Sequence, residues 1–311
     1  MGIDMRTIQW ISLLLLAGLV SMPVRAELRV FACEPEWASL VGQLMPEADI
    51  TTATHHLQDP HYIEARPSLI AAMGRADIAV CTGASLEAGW LPTLLQRASN
   101  PDIQTGQPGL FFAADHAQLH APHDHVDRSM GDVHPEGNPH VHLSPDQMPV
   151  IADALANRLI ALAPGAENRI KTRHLQWQVN WRTHQAGWQK AADKLQGISV
   201  VVQHTGFTYL LNWLGVQHEL DLEPKPGLPP SASHLGSLLV NPRLKEASGI
   251  LVASYQDRQP ADWLAEKTGL PVVVVPGTVT GELPAETLSE LISEIVLKIE
   301  SIAPGASDGG V

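Results

Sequence analysis

Residues 116–142 read HAQLHAPHDHVDRSMGDVHPEGNPHVH and hold seven of the chain's fifteen histidines. Neutral imidazole is the commonest side-chain ligand for zinc and suits its neighbours in the first transition row, so metal binding is the chemistry this tract suggests. A His-rich tract alone is only a composition; the flanking sequence must separate residues that grip an ion from those that gather it. Outside the tract, His61 lies in LQDPHYIEARPS and His204 closes VVVQH. With His140 in GNPHVHLSP, they stand at or near junctions between strand and helix patterns, where open α/β sheets bind their ligands. Three imidazoles converging there would hold a borderline ion such as Zn2+ and leave one position for a further ligand.

The elements that must position these residues follow from periodicity. Strands are expected at 28–34, 48–54, 76–83 and 109–115, with helices at 35–45, 67–74, 85–98 and 146–162. Such alternation argues for a parallel sheet covered by helices. In residues 166–195, Ile170, His174, Trp177, Trp181, His184, Trp188, Ala191 and Leu195 recur at alternating spacings of four and three. That is one stripe of a single helix roughly 45 Å long, enough to link two domains. His174 and His184 share the stripe and read as structural. A second α/β unit follows, with strands at 198–204, 249–255 and 271–276, and helices at 206–215, from Ser231, at 260–268 and at 284–302. The fold class is α/β: two doubly wound parallel-sheet lobes joined by one long interdomain helix. The N-terminal lobe spans 27–163 and carries the His-rich loop 116–134; the linking helix occupies 164–196 and the C-terminal lobe 197–311.

The N-terminal apolar run ISLLLLAGLV, followed by Val24-Arg25-Ala26, reads as a secretory signal peptide cleaved after Ala26, and the run is short for a bilayer span. Without residues 1–26 the chain carries 32 Asp and Glu against 18 Lys and Arg, a net charge of −14. That balance disfavours nucleic acid and anionic lipid while attracting cations. A soluble monomer in a Gram-negative periplasm is expected. An oxidising compartment permits a disulfide between Cys33 and Cys81, although neighbouring parallel strands rarely offer the geometry, so bridged and free thiols both stay open.

Four segments carry a resemblance over essentially the whole mature chain. DPHYIEARPSLIAAMGRADIAVCTGASLEAGWLPTLL, NPHVHLSP, QHTGFTYLLNWLG and AEKTGLPVVVVP together resemble the zinc/manganese (ZnuA-type) group of periplasmic solute-binding proteins of ABC importers. The resemblance implies that His61, His140 and His204 are metal ligands, that an inner-membrane ABC permease is the partner, and that the chain is not an enzyme. Two departures stand out. The family's carboxylate after the last strand is missing from VVVVPGTVTGELP, so Glu282, Asp59, a water or a loop histidine is left to complete the site. His142 stands where relatives commonly carry Trp and is either a fourth ligand or a group supporting one. Related zinc binders often carry a His- and acid-rich loop here. His116, His120, His123, His125 and His134 then form a metal-capture loop that raises local metal concentration near the cleft. His55 and His56 stand near the cleft mouth; His218 and His234 read as structural or exposed.

A His-dominated site favours Zn2+ as the transported ligand over Mn2+, which prefers oxygen. Two other readings stay open: a periplasmic zinc buffer or chaperone without a transporter, and a three-His zinc hydrolase. Against the hydrolase stand the missing HExxH and GxSxG motifs; Glu64 is the nearest candidate base.

Overall fold

A computed structural model describes residues 27–123 and 130–303. The signal segment and His125 lie outside the described residues, as do Asp124, Asp127 and the C-terminal tail. The first lobe runs β1 (Arg29–Ala32), α1 (Pro35–Leu44), β2 (Asp49–Thr52), α2 (Pro67–Arg75), β3 (Ile78–Cys81), α3 (Leu91–Ala98), β4 (Leu110–Phe112) and α4 (Met148–Leu162). The long helix α5 (Glu167–Leu195) leads into β5 (Ser199–Val202), α6 (Thr208–Leu214), β6 (Gln217–Asp221), α7 (Ala232–Leu239), β7 (Ala247–Ala253), α8 (Gln259–Thr268), β8 (Val272–Val275) and α9 (Leu288–Glu300). Each lobe is a four-stranded parallel sheet, ordered β2-β1-β3-β4 in the first and β6-β5-β7-β8 in the second. Among the described residues no helix is long and apolar enough to cross a membrane.

Proline, whose fixed φ and missing N–H suit the first turn, opens α1 and α2 and stands second in α3, α4 and α8. One expectation needs correction, and one strand was not expected. The helix expected over 85–98 begins only at Leu91, because Gly83, Ala84 and Ser85 all take positive φ and divert the chain into a turn. Strand β6, QHELD, is too polar to show a strand pattern and forms because it lies at the sheet edge, pairing β5 alone.

Helix α5 packs against α1 and α4 of the first lobe and against α6 and α9 of the second. Its Ile170, Trp177, Trp181, Trp188 and Leu195 belong to one core that continues from Val30 and Ile78 to Val200 and Ile292. The indole N–H groups fix the helix to both lobes: Trp177 donates to Gln43 Oε1 (3.0 Å), Trp181 to the Pro145 carbonyl (2.9 Å) and Trp188 to Ser293 Oγ (2.9 Å). His174 is buried in the same stripe, and its burial lowers its pKa.

At the carboxyl ends of β1 and β3, Cys33 and Cys81 are joined by a disulfide with Cα atoms 4.8 Å apart. That separation falls inside the range a bridge requires, so these parallel strand ends do offer the geometry. Beside the bridge, Glu34 and Glu87 are buried in the crevice. Thr82 donates through N–H and hydroxyl to Glu34 Oε2 and through N–H to Glu87 Oε1, while Glu34 Oε1 has no partner. Burial pushes both carboxyls up, Glu34 further raised by Glu87 and Glu87 to about 7. The folded state therefore holds these protons more tightly than the unfolded chain. The resulting stability is full below the ordinary value of 4.5 and is lost as pH rises through about 7. Glu34→Gln removes one of the two titrations and supplies a donor at the unpartnered position. Its melting temperature should exceed that of wild type by roughly 3–6 °C near pH 8 and match it more closely near pH 5. Thermal melts that run parallel at all pH values would refute the effect.

Candidate metal centre

The cleft site assembles from segments that leave both sheets. His61 sits in the loop after β2, whose Pro60 carbonyl accepts from Trp90 Nε1 at 2.9 Å. His140 precedes the short turn Val141–Leu143 that leads into α4, and its N–H donates to Asn138 Oδ1. Asn138 in turn donates to the Thr205 carbonyl and accepts from Tyr209 Oη, tying this segment to the second lobe. His204 directly follows β5, at the strand where the second sheet reverses its winding. The structure brings all three buried rings together, with one nitrogen of each within 4.8 Å of the others.

A fourth ring, His134, adjoins the group of three on the His61 side. His134 Nε2 lies 3.3 Å from His61 Nε2, and His140 Nε2 lies 3.3 Å from His204 Nε2. Nitrogens bound tetrahedrally at zinc distances stand about 3.3–3.4 Å apart, so both pairs match an edge of such a site. The opposite ring nitrogens fix the tautomers. Asp59 Oδ1 accepts from His61 Nδ1 at 2.7 Å and Glu223 Oε2 from His204 Nδ1 at 2.9 Å. With Nδ1 donating, Nε2 of both rings presents a lone pair to the cluster. Burial and the neighbouring rings lower His134 to about 4 and hold His140 well below the ordinary range. Low proton affinity together with inward-facing nitrogens is the chemistry of a cation-binding cluster.

The carboxylates supply the counter-charge. Burial is the largest single influence and raises the Asp59 carboxyl, but the hydrogen bonds and charge of His61, with the charge of His204, together outweigh it and leave the group below its ordinary value. Asp59, Asp132, Glu223 and Asp257 line a cavity of about 400 Å3 that opens on His61 and His204. Two carboxylates hydrogen-bonded to the His61 and His204 rings place negative charge beside the cluster without entering it.

The remaining sequence candidates fall in different places. Asp59 holds the far side of His61, so its nearest role is orienting that ring. Glu282 is exposed in the turn after β8, where its N–H donates to Thr280 Oγ1, and it does not join the cluster. His142 is buried and turned away, with Nε2 3.0 Å from the Gly277 carbonyl and Nδ1 3.4 Å from Glu36 Oε1. It links the lobes together with the Thr278 to Glu36 hydrogen bond. The His-rich loop is not a uniform free tether. His116 stacks on Phe111 at 4.9 Å and is a packing residue, whereas His120 stacks on Tyr209 at 4.2 Å. His120 and exposed His123 line a second cavity of about 320 Å3 that also touches His134, His140, His204 and His218.

Sequence reasoning missed Glu223. It follows β6, and without that strand nothing in DLEPKPG separates it from an ordinary turn acid. It also missed Ser85, whose hydroxyl donates to both carboxylate oxygens of Glu136.

Comparison with known proteins supplies the remaining context. Residues 30–302 match the family model described as zinc-uptake complex component A, periplasmic. The high-affinity zinc uptake system protein ZnuA of Yersinia pestis is 24% identical over 214 residues, covering 65% of this chain and 67% of that protein. The fold superposes on a zinc-bound deletion mutant of ZnuA with a TM-score of 0.74 at 17% identity, over 90% of this chain and 99% of that one. It superposes equally, with a TM-score of 0.74 at 19% identity over 88% and 99%, on FpvC of Pseudomonas aeruginosa in complex with Mn2+.

Proposed function

Because the chain belongs to the family of periplasmic zinc-uptake components, which are solute-binding parts of ABC importers and not enzymes, we propose that its substrate is Zn2+. In this reading His61, His134, His140 and His204 hold the ion between the lobes, and an inner-membrane ABC permease receives it. The observation that supports zinc over manganese is the donor set: two facing Nε2 pairs at 3.3 Å, with the carboxylates displaced to the outer edge of the rings. Manganese prefers oxygen, whereas four imidazoles suit zinc. His134, whose Nε2 lies beside that of His61, is assigned here to the fourth position for which the sequence left several candidates. His120 and His123, on the second cavity, are assigned to metal approach, together with His125 beyond the described residues. Helix α5, held in both lobes by its tryptophans, restricts lobe movement, so the permease must disturb the ligands to release the ion.

Chelator competition on the protein without residues 1–26 tests this reading. One zinc should bind tightly per chain. Asp59→Asn and Glu223→Gln should each weaken it about 10- to 100-fold by releasing the rings they orient. Unchanged affinity in both variants would sink the assignment.

A further inference from the structure

We propose that residues 131–137 form a strap that retains the ion in the cleft, and that Asp132 and Glu136 are the positioning residues that pin His134 against it. The proposal rests on the zinc site assigned above. The strap is bounded by Gly131 and Gly137, both at positive φ (78° and 120°). A Cβ at Gly131 would come within 2.3 Å of the Pro226 carbonyl oxygen, and one at Gly137 within 2.7 Å of the His120 carbonyl oxygen. Both ends therefore need glycine, for conformation and for space.

Between them, alternate residues make three contacts with the first lobe. Asp132 Oδ2 accepts from Tyr62 Oη at 2.6 Å. His134 meets His61, with their Nε2 atoms 3.3 Å apart. Glu136 accepts from Ser85 Oγ with both carboxylate oxygens, at 3.0 and 2.9 Å. The Asp132 N–H meanwhile donates to the Pro226 carbonyl at 2.8 Å, so the strap also touches the second lobe. The receiving surface is strained. Ala84 and Ser85 follow Gly83 in the left-handed region, at φ 48° and 62°, where side-chain-bearing residues rarely lie. That turn puts the Ser85 hydroxyl where Glu136 meets it. The arrangement gives His134 a different task from the other three rings: it is the ligand on a separately clipped segment, and its hold depends on the two clips.

Zinc release into excess chelator, followed by stopped flow on the full mature chain, tests the strap. Glu136→Ala should accelerate release about ten-fold with little change in association. Glu136→Gln, which keeps an acceptor oxygen for Ser85 Oγ, should restore most of the retention. Tyr62→Phe, at the other clip, should accelerate release in the same direction. Loaded with Co2+, the Glu136→Ala protein should show the visible absorption of His134→Ala instead of that of wild type. In a His134→Ala background, Glu136→Ala should add nothing. Unchanged release in Glu136→Ala, or equal acceleration without His134, overturns the strap. A His140→Ala protein that still binds zinc tightly overturns the underlying site, and the strap with it, by a result the release experiment does not share.

Discussion

His140→Ala should abolish tight zinc binding while leaving the fold intact. Structural four-ligand zinc sites bind with about 10–16 kcal/mol in total, so one imidazole accounts for roughly 3 kcal/mol, two to three orders of magnitude in Kd. His140 is the ligand whose loss should approach the upper end. It is buried, faces His204 at 3.3 Å, and reaches the second lobe through Asn138. No partner in the apo protein loses a favourable charge when the ring goes, because burial, reinforced by the neighbouring rings, already disfavours a charged His140. Chelator competition gives the affinity, and an apo melt close to wild type shows that folding is not the cause. If the variant retains a tight site, the His-rich tract is the binding centre and the cleft is not.

His134→Asp should exchange metal preference. An aspartate at the fourth position would offer an oxygen where the strap now brings nitrogen. Zinc should weaken about ten-fold, Mn2+ should gain by a similar factor, and the zinc-to-manganese ratio should fall roughly 100-fold. Competition between the two ions on wild type and variant measures this ratio directly. A ratio that stays fixed would mean that the other three imidazoles and the outer carboxylates alone set the preference, with His134 outside the coordination sphere.

His61, His140 and His204 were legible because each stands at a break between element patterns, and a change of period is visible in one sequence. The long helix was equally plain, since eight residues in one stripe leave little else. Other features depended on contacts between distant segments. His134 lies 73 residues from His61 and differs from its loop neighbours only in where the Gly131 and Gly137 turns carry it. Glu223 was hidden behind β6, a polar strand at a sheet edge. Glu282 drew attention by lying near where relatives place a carboxylate, but the turn after β8 leaves it in solvent. Cys33 and Cys81 could be placed at strand ends, whereas only the pairing of β1 with β3 put them side by side.

The continuous core through α5 has a thermodynamic consequence. Two sheets joined by a flexible tether would melt independently, and an ion bound between them would stabilise each only through its own contacts. Here Trp177 stacks on Trp181 and Trp188 meets Trp181 edge-on, with ring centroids 5.0 and 5.2 Å apart, while the three are anchored in opposite lobes. Neither sheet can lose its packing without exposing the other's, so the chain should unfold in one cooperative transition. Zinc then stabilises the whole molecule by mass action, about 4 kcal/mol at a thousand-fold excess over Kd. An ion bound at the cleft would thus shift the unfolding equilibrium of the entire protein, including the disulfide-bridged end farthest in sequence from the second sheet.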